Sequence, residues 1–270
     1  MPTGETCFRE YQVHAALAPF VKYIWSVERD RPIYDAPRER ILPDSCVELV
    51  VHFGDPFRSH FANGVSDLQP RSFVAGQMKN FLEIEPAGRM GLIAVRFHAR
   101  GAYLFFPKPL SAVTAGLVEL EDVLGKCARD WTERIALAGG MAARVRIVED
   151  VLLNLLRQKD RFDRAVDRCL HLIETTPGQV RVAQLASEVG LGGRQLTRRF
   201  ENAVGVSPKE FARVSRFLSG VRCLRGSSRQ TLTETALECG YFDQAHFNHD
   251  FREFAGMTPG EFLLSPNVVF

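Results

Sequence analysis

The chain has 270 residues, of which 46% are apolar, and a formal net charge of +2. That length suffices for two ordinary domains with proper cores, and so balanced a charge gives no whole-chain electrostatic reason to bind nucleic acid or an anionic membrane. Its six cysteines are widely spaced without a C-x-x-C pair, so they carry no sign of a disulfide framework or zinc site, and no run approaches the ~18 apolar residues of a membrane span; a soluble, cytoplasmic protein is expected.

Up to about residue 115, short apolar runs alternate with Gly, Pro, Asn and Asp. Strands are predicted at Tyr23–Val27, Cys46–Phe53, Arg71–Gly76, Phe81–Glu85 and Gly91–Phe97, the second closed by Gly54-Asp55-Pro56. Together they predict a mainly-β domain over 1–116, a small antiparallel sheet or cupin-like partial barrel.

From about residue 117 the period changes to that of a helix. Val148, Val151, Leu152, Leu155 and Leu156 form an apolar stripe in a helical connector, 117–159, suited either to dimerisation or to packing on the preceding domain. The charged stretch Gln158-Lys159-Asp160-Arg161 marks the expected boundary, and Val166, Cys169, Leu170 and Ile173 begin an all-α domain over 160–270. The predicted fold class is therefore α+β.

Within that last domain the chain repeats itself. Phe200, Gly205, Ser207, Pro208, Glu210 and Phe211 recur 51 positions on as Phe251, Gly256, Thr258, Pro259, Glu261 and Phe262, and Val182, Ala186, Glu188 and Gly190 recur 50 on as Leu232, Ala236, Glu238 and Gly240. Gly190 and Gly240 suit a chain that leaves one helix through a left-handed residue and enters another at an angle, the geometry of a helix-turn-helix. Ser207-Pro208-Lys209-Glu210, Thr258-Pro259-Gly260-Glu261 and Thr231-Leu232-Thr233-Glu234 are capping boxes, whereas Arg181 starts its helix without a capping hydroxyl. Phe211, Val214, Phe217, Leu218, Val221 and Leu224 give one helix that joins the two units.

These residues resemble the AraC-type family of transcription regulators over roughly 160–264. The most specific stretch is Ala236-Leu237-Glu238-Cys239-Gly240-Tyr241-Phe242-Asp243-Gln244-Ala245-His246-Phe247, continued by Phe251-Arg252, Gly256, Thr258-Pro259 and Phe262. Ile41–Val50, Ala75-Gly76-Gln77 and Val95-Arg96-Phe97 are similar to the N-terminal domain of one branch of the family. The resemblance implies a sequence-specific DNA-binding transcription regulator whose N-terminal domain senses a small molecule or dimerises. Double-stranded DNA is the implied partner, with RNA polymerase, a small-molecule effector and a second copy of the chain as further candidates.

Base-reading side chains must point away from Leu196 and Phe200, or from Phe247 and Phe251, whose helical spacing marks them as core rather than base-stacking groups. That leaves Arg194, Thr197 and Arg198 in the first unit and Gln244, Asn248 and His249 in the second. Arg199, Lys209, Arg213 and Arg252 are assigned to phosphates. Residues 181–229 carry ten basic against three acidic residues, a net +7, while 230–270 carry Arg252 against six acidic residues, a net −5. The first unit is thus expected to dominate affinity.

In the N-terminal half, Trp25, Phe53, Phe73, Arg96 and Phe97 are candidates for an effector pocket, although the same aromatics suit an ordinary core. The alternative is a cupin-like metal-dependent enzyme domain fused to the DNA-binding module, built on Glu48, His52 and His98. Glu48 and His52 share a strand face by parity, but no H-x-H pair accompanies them. No catalytic residue, metal or cofactor is assigned.

Overall fold

The fold is that of a computed structural model, which describes residues 6–29, 31–32, 36–114, 116–156, 162–176, 179–226, 231–265 and 268–269. The expected boundary stretch 158–161 lies outside them.

The N-terminal half is two facing sheets. Its strands are β1 (Cys7–Tyr11), β2 (Val21–Glu28), β3 (Glu39–Ile41), β4 (Glu48–His52), β5 (Arg58–Phe61), β6 (Ser66–Leu68), β7 (Ser72–Ala75), β8 (Leu82–Glu85), β9 (Gly91–Phe97) and β10 (Leu117–Glu119). One sheet runs β1-β2-β9-β4-β7-β10 and the other β3-β8-β5-β6, all antiparallel. Alternation divides β9 cleanly. Ile93, Val95 and Phe97 face outward with Ile24, Leu49, Val51 and Val74, while Leu92 and Ala94 face the second sheet with Val27, Val50, Phe57 and Phe73. Because β10 pairs with β7, the sheet extends past residue 116.

Three helices cover the outward face: α1 (Leu120–Leu124), α2 (Cys127–Leu137) and α3 (Met141–Leu156). Val148 and Leu152 of α3 enter the same core as Ile135, Val95 and Phe97, so the apolar stripe of the connector packs against its own sheet.

The C-terminal half is helical: α4 (Arg164–Thr175), α5 (Val182–Glu188), α6 (Gly193–Val204), α7 (Pro208–Gly226), α8 (Leu232–Glu238), α9 (Gln244–Ala255) and α10 (Pro259–Leu263). After it, β11 (Val268–Val269) returns to pair in parallel with β3. The two halves are in contact along α6, α7 and α9. Thr114 Oγ1 donates to Gly205 O at 2.5 Å, Asn80 Nδ2 to Glu253 O at 3.0 Å and Arg40 Nη1 to Ala255 O at 2.9 Å. Lys79 pairs with Glu210 at 2.7 Å, and Leu42 is buried in the core of α7, α8 and α9.

Candidate nucleic-acid interface

Each unit is built from three helices rather than two. Val166, Leu170 and Ile173 of α4 recur 51 positions on as Phe217, Val221 and Leu224 of α7, all of them buried. The helix that joins the units is therefore also the leading helix of the second, so α4-α5-α6 and α7-α8-α9 are the repeating bodies. Leu196 and Phe200 of α6 and Phe247 and Phe251 of α9 are fully buried, which confines them to the core.

The turns coincide in detail. Gly190 and Gly240 adopt φ of +63° and +77°, a region that costs a side-chain-bearing residue about 1 kcal/mol or more. Leu191 N–H then donates to Ala186 O, and Tyr241 N–H to Ala236 O, the six-to-one bond that closes a helix end. The three capping boxes form: Ser207, Thr231 and Thr258 accept from the backbone N–H of Glu210, Glu234 and Glu261, whose carboxylates accept in return. At the start of α5, only Gln184 reaches back, accepting from Arg181 N–H at 2.9 Å.

On α6, Arg194 and Arg198 are exposed and Thr197 is half-buried. On α9, His249 stands 51 positions after Arg198 and is exposed, and Asn248 stands opposite Thr197 and is half-buried. Gln244 matches Gly193, and its Oε1 accepts from Thr233 Oγ1 at 2.7 Å. The counterpart of Arg194 is Ala245, so the second unit presents no cation there. Lys209 and Arg252 are exposed.

Two of the four arginines and lysines assigned to phosphate are committed elsewhere. Arg199 donates from Nε and Nη2 to Asp163, at 2.9 and 2.7 Å. Asp163 also caps α4; burial would raise its carboxyl, but Arg199 and the N–H groups of Val166 and Ala165 hold it below the usual range. Arg213 donates to both oxygens of Glu253, at 3.0 and 2.7 Å, and to Asp250 Oδ1 at 2.7 Å. Those bonds, from Glu253 first, push its guanidinium well above its ordinary value. The Asp250 side chain is only 1% exposed, with Arg216 Nη2 3.7 Å from Oδ2. Arg216 in turn lies over the Tyr241 ring at 4.7 Å, and burial, then Asp250, raises the Tyr241 hydroxyl.

This network corrects the charge division drawn from the sequence. Arg213 and Arg216, counted with the first unit, neutralise acids of the second. Glu234, Asp243 and Glu261 of the second unit are helix caps. The ligand atoms of His249, Asp250 and Glu253 lie within 4.8 Å of one another, but Arg213 already holds both carboxylates, so a cation is built into the cluster. In the sequence Asp250 stands among the six acidic residues of 230–270, with no partner assigned to it. Its signal is the i, i+3 spacing of Asp250 and Glu253 facing Arg213 and Arg216.

A groove of about 700 Å3 runs between the units, lined by Arg181, Lys209, Arg213, Arg216, His246 and His249 among others.

In the N-terminal half the five expected pocket residues do not converge. Trp25, Phe73 and Arg96 face the second sheet, whereas Phe97 packs on Phe105 at 5.0 Å beneath the helices, and Phe53 lies under Arg144 at 4.1 Å. Trp25 Nε1 and Arg96 Nη1 both donate to Glu48 Oε1, at 3.1 and 3.2 Å, and Arg96 also pairs with Asp44. Glu48 and His52, four residues apart on one strand, are separated by about 13 Å, and His52 Nε2 bonds to Gln69 Oε1 at 2.9 Å instead. They cannot share a metal ion.

Residues 185–265 match the family model described as a helix-turn-helix domain, and residues 9–119 match that of a domain of unknown function (DUF6597). The C-terminal half is thus a DNA-binding domain with two helix-turn-helix units. An uncharacterized HTH-type transcriptional regulator of Haemophilus influenzae is 26% identical over 122 residues, 45% of this chain; the match spans 39% of that protein. Among solved structures, an AraC-type transcriptional regulator from Chromobacterium violaceum covers 37% of this chain and 89% of its own at 24% identity, with a TM-score of 0.35. ToxT of Vibrio cholerae covers 95% of this chain and 98% of its own at 9% identity, with a TM-score of 0.47. No helix among the described residues is long and apolar enough to cross a membrane.

Proposed function

We propose that this protein is a sequence-specific transcription regulator that reads two successive major grooves of double-stranded DNA with α6 and α9. The observation that carries the reading is the duplication itself: two bodies with the same glycine turns and buried phenylalanines, held through one shared helix, each presenting one helix outward. Such a pair suits a site whose boxes recur every helical turn, ~34 Å along the duplex. Arg194, Thr197 and Arg198 read one box, with Arg198 placed for the two-pronged contact to guanine. Asn248 and His249 read the other, with Gln244 supporting the start of α9. Lys209 and Arg252 bind phosphate, while Arg199 and Arg213 hold the recognition helices in place.

The sheets with α1–α3, rather than residues 1–116 alone, form the regulatory body. Their contacts reach both units, through Thr114 to the first and through Lys79, Arg40, Asn80 and Leu42 to the second. A small-molecule effector that alters this docking would change how the units sit on DNA, and RNA polymerase or a second copy of the chain would join the complex there. A cytoplasmic location accords with this role. Selection of bound duplexes from a random library should enrich two boxes with centres about 10 base pairs apart, and Arg198→Ala should relax preference in one box only. If no sequence is enriched, the proposal fails.

A further inference from the structure

We propose that Cys223 and Cys239 are an oxidisable dithiol whose disulfide fastens α7 to the turn of the second helix-turn-helix unit. Their sulfurs are 3.4 Å apart, with the Cys239 thiol directed at Cys223 Sγ. A disulfide needs ~2.05 Å, so the sulfurs have about 1.4 Å to close. The two residues belong to one packed layer with Leu224 and Ala236. Cys239 is the residue that ends α8, just before Gly240, and it is buried; Cys223 is half-buried near the end of α7. The other thiols meet nitrogen or oxygen or lie deep in the core: Cys7 accepts from Arg9, Cys46 from Lys22, Cys127 donates to Leu124 O, and Cys169 is fully buried in the first unit. The first unit has no such pair, since Val189 stands 50 positions before Cys239.

The unequal surroundings give each sulfur a part. Burial and the neighbouring thiol push Cys239 up to about 12, which leaves Cys223 as the sulfur that meets an oxidant first. A hydroperoxide oxidises the Cys223 thiolate to a sulfenic acid and is itself reduced to an alcohol, or to water for hydrogen peroxide. Cys239 then attacks that sulfur; the S–S bond forms, the S–O bond breaks, and hydroxide leaves with the Cys239 proton as water. Two electrons have passed from the pair of sulfurs to the hydroperoxide. The product closes residues 223–239 into a ring across α8.

The test uses full-length protein carrying Cys7→Ser and Cys127→Ser, treated with hydrogen peroxide and digested without reductant. The expected result is a joined pair of peptides bearing Cys223 and Cys239, lighter by two hydrogens and separated again by dithiothreitol. Cys239→Ser in the same background should stop at a sulfenic acid on Cys223 that dimedone traps. Cys239 that remains fully alkylatable while Cys223 advances to a sulfinic acid overturns the proposal, as does a Cys239→Ser protein with no trapped sulfenic acid. Mass alone reads the bond, so its failure is separate from any failure of DNA binding.

Discussion

The two helix-turn-helix units anchor their recognition helices by the same device with its polarity reversed. In the first, Arg199 of α6 reaches Asp163 at the head of α4; in the second, Asp250 of α9, 51 positions after Arg199, reaches Arg213 of α7. Duplication has kept the tie between recognition helix and leading helix, not the residues that make it. The environments also differ. Arg199 is 36% exposed, so water shares in its pairing, while the Asp250 side chain is 1% exposed and relies on protein partners, Arg213 first among them. A repeat that looks basic in one half and acidic in the other is, at its centre, two neutralised joints.

The sharpest way to break this comparison is to remove both acids in turn. Asp250→Ala takes the facing carboxylate from Arg216 and leaves Arg213 with Glu253 alone, beside an emptied buried site, and should cost about 3–5 kcal/mol, whereas Asp163→Ala loses a half-exposed pair and a cap, about 1–2 kcal/mol. Urea unfolding measures both, and equal losses would dissolve the distinction. A pH titration sharpens the comparison from outside, because His52 lies in the sheets rather than in either unit. Burial lowers its pKa from 6.5 to about 4, so the unfolded chain takes up a proton first as pH falls. Stability present above pH 6.5 should decline by about 3 kcal/mol by pH 4, and His52→Gln should flatten that part of the profile. If the decline persists in the variant, it belongs to other groups. The smallest effect concerns DNA: Arg198→Ala should weaken specific binding by about 1–3 kcal/mol, and Asn248→Ala or His249→Ala by less. A larger loss from either of the latter in binding titrations would invert the expected order of the two units.

The repeat could be read from the sequence because its marks are local: a glycine forced left-handed, a hydroxyl three residues before a glutamate, apolar side chains at helical spacing. Pairing between segments has no local mark. In the sequence alone Asp250 adds to the acidity of 230–270 and Arg213 and Arg216 to the basicity of 181–229; only the packing of α7 against α9 joins them. The failed pocket had a signal that parity supplied, since Arg96 and Phe97 are neighbours in one strand and must point to opposite faces. The strands Arg58–Phe61 and Ser66–Leu68 leave little trace in the sequence because they are short and polar, and the second lies on the edge of its sheet, where burial imposes little pattern. The strand Leu117–Glu119 falls within the stretch expected as helix because it runs directly into α1.

Strand β11 pairs with Arg40 and Ile41 of β3, and Arg225 at the end of α7 donates to Val268 O at 2.8 Å. More than two hundred residues of chain separate these partners. At translation rates of about 5–20 residues per second, the edge of the second sheet stays uncovered for roughly 10–50 s after β3 has emerged. The N-terminal body is thus finished by the helical one, and its second sheet acquires β11 only after both helix-turn-helix units have been made.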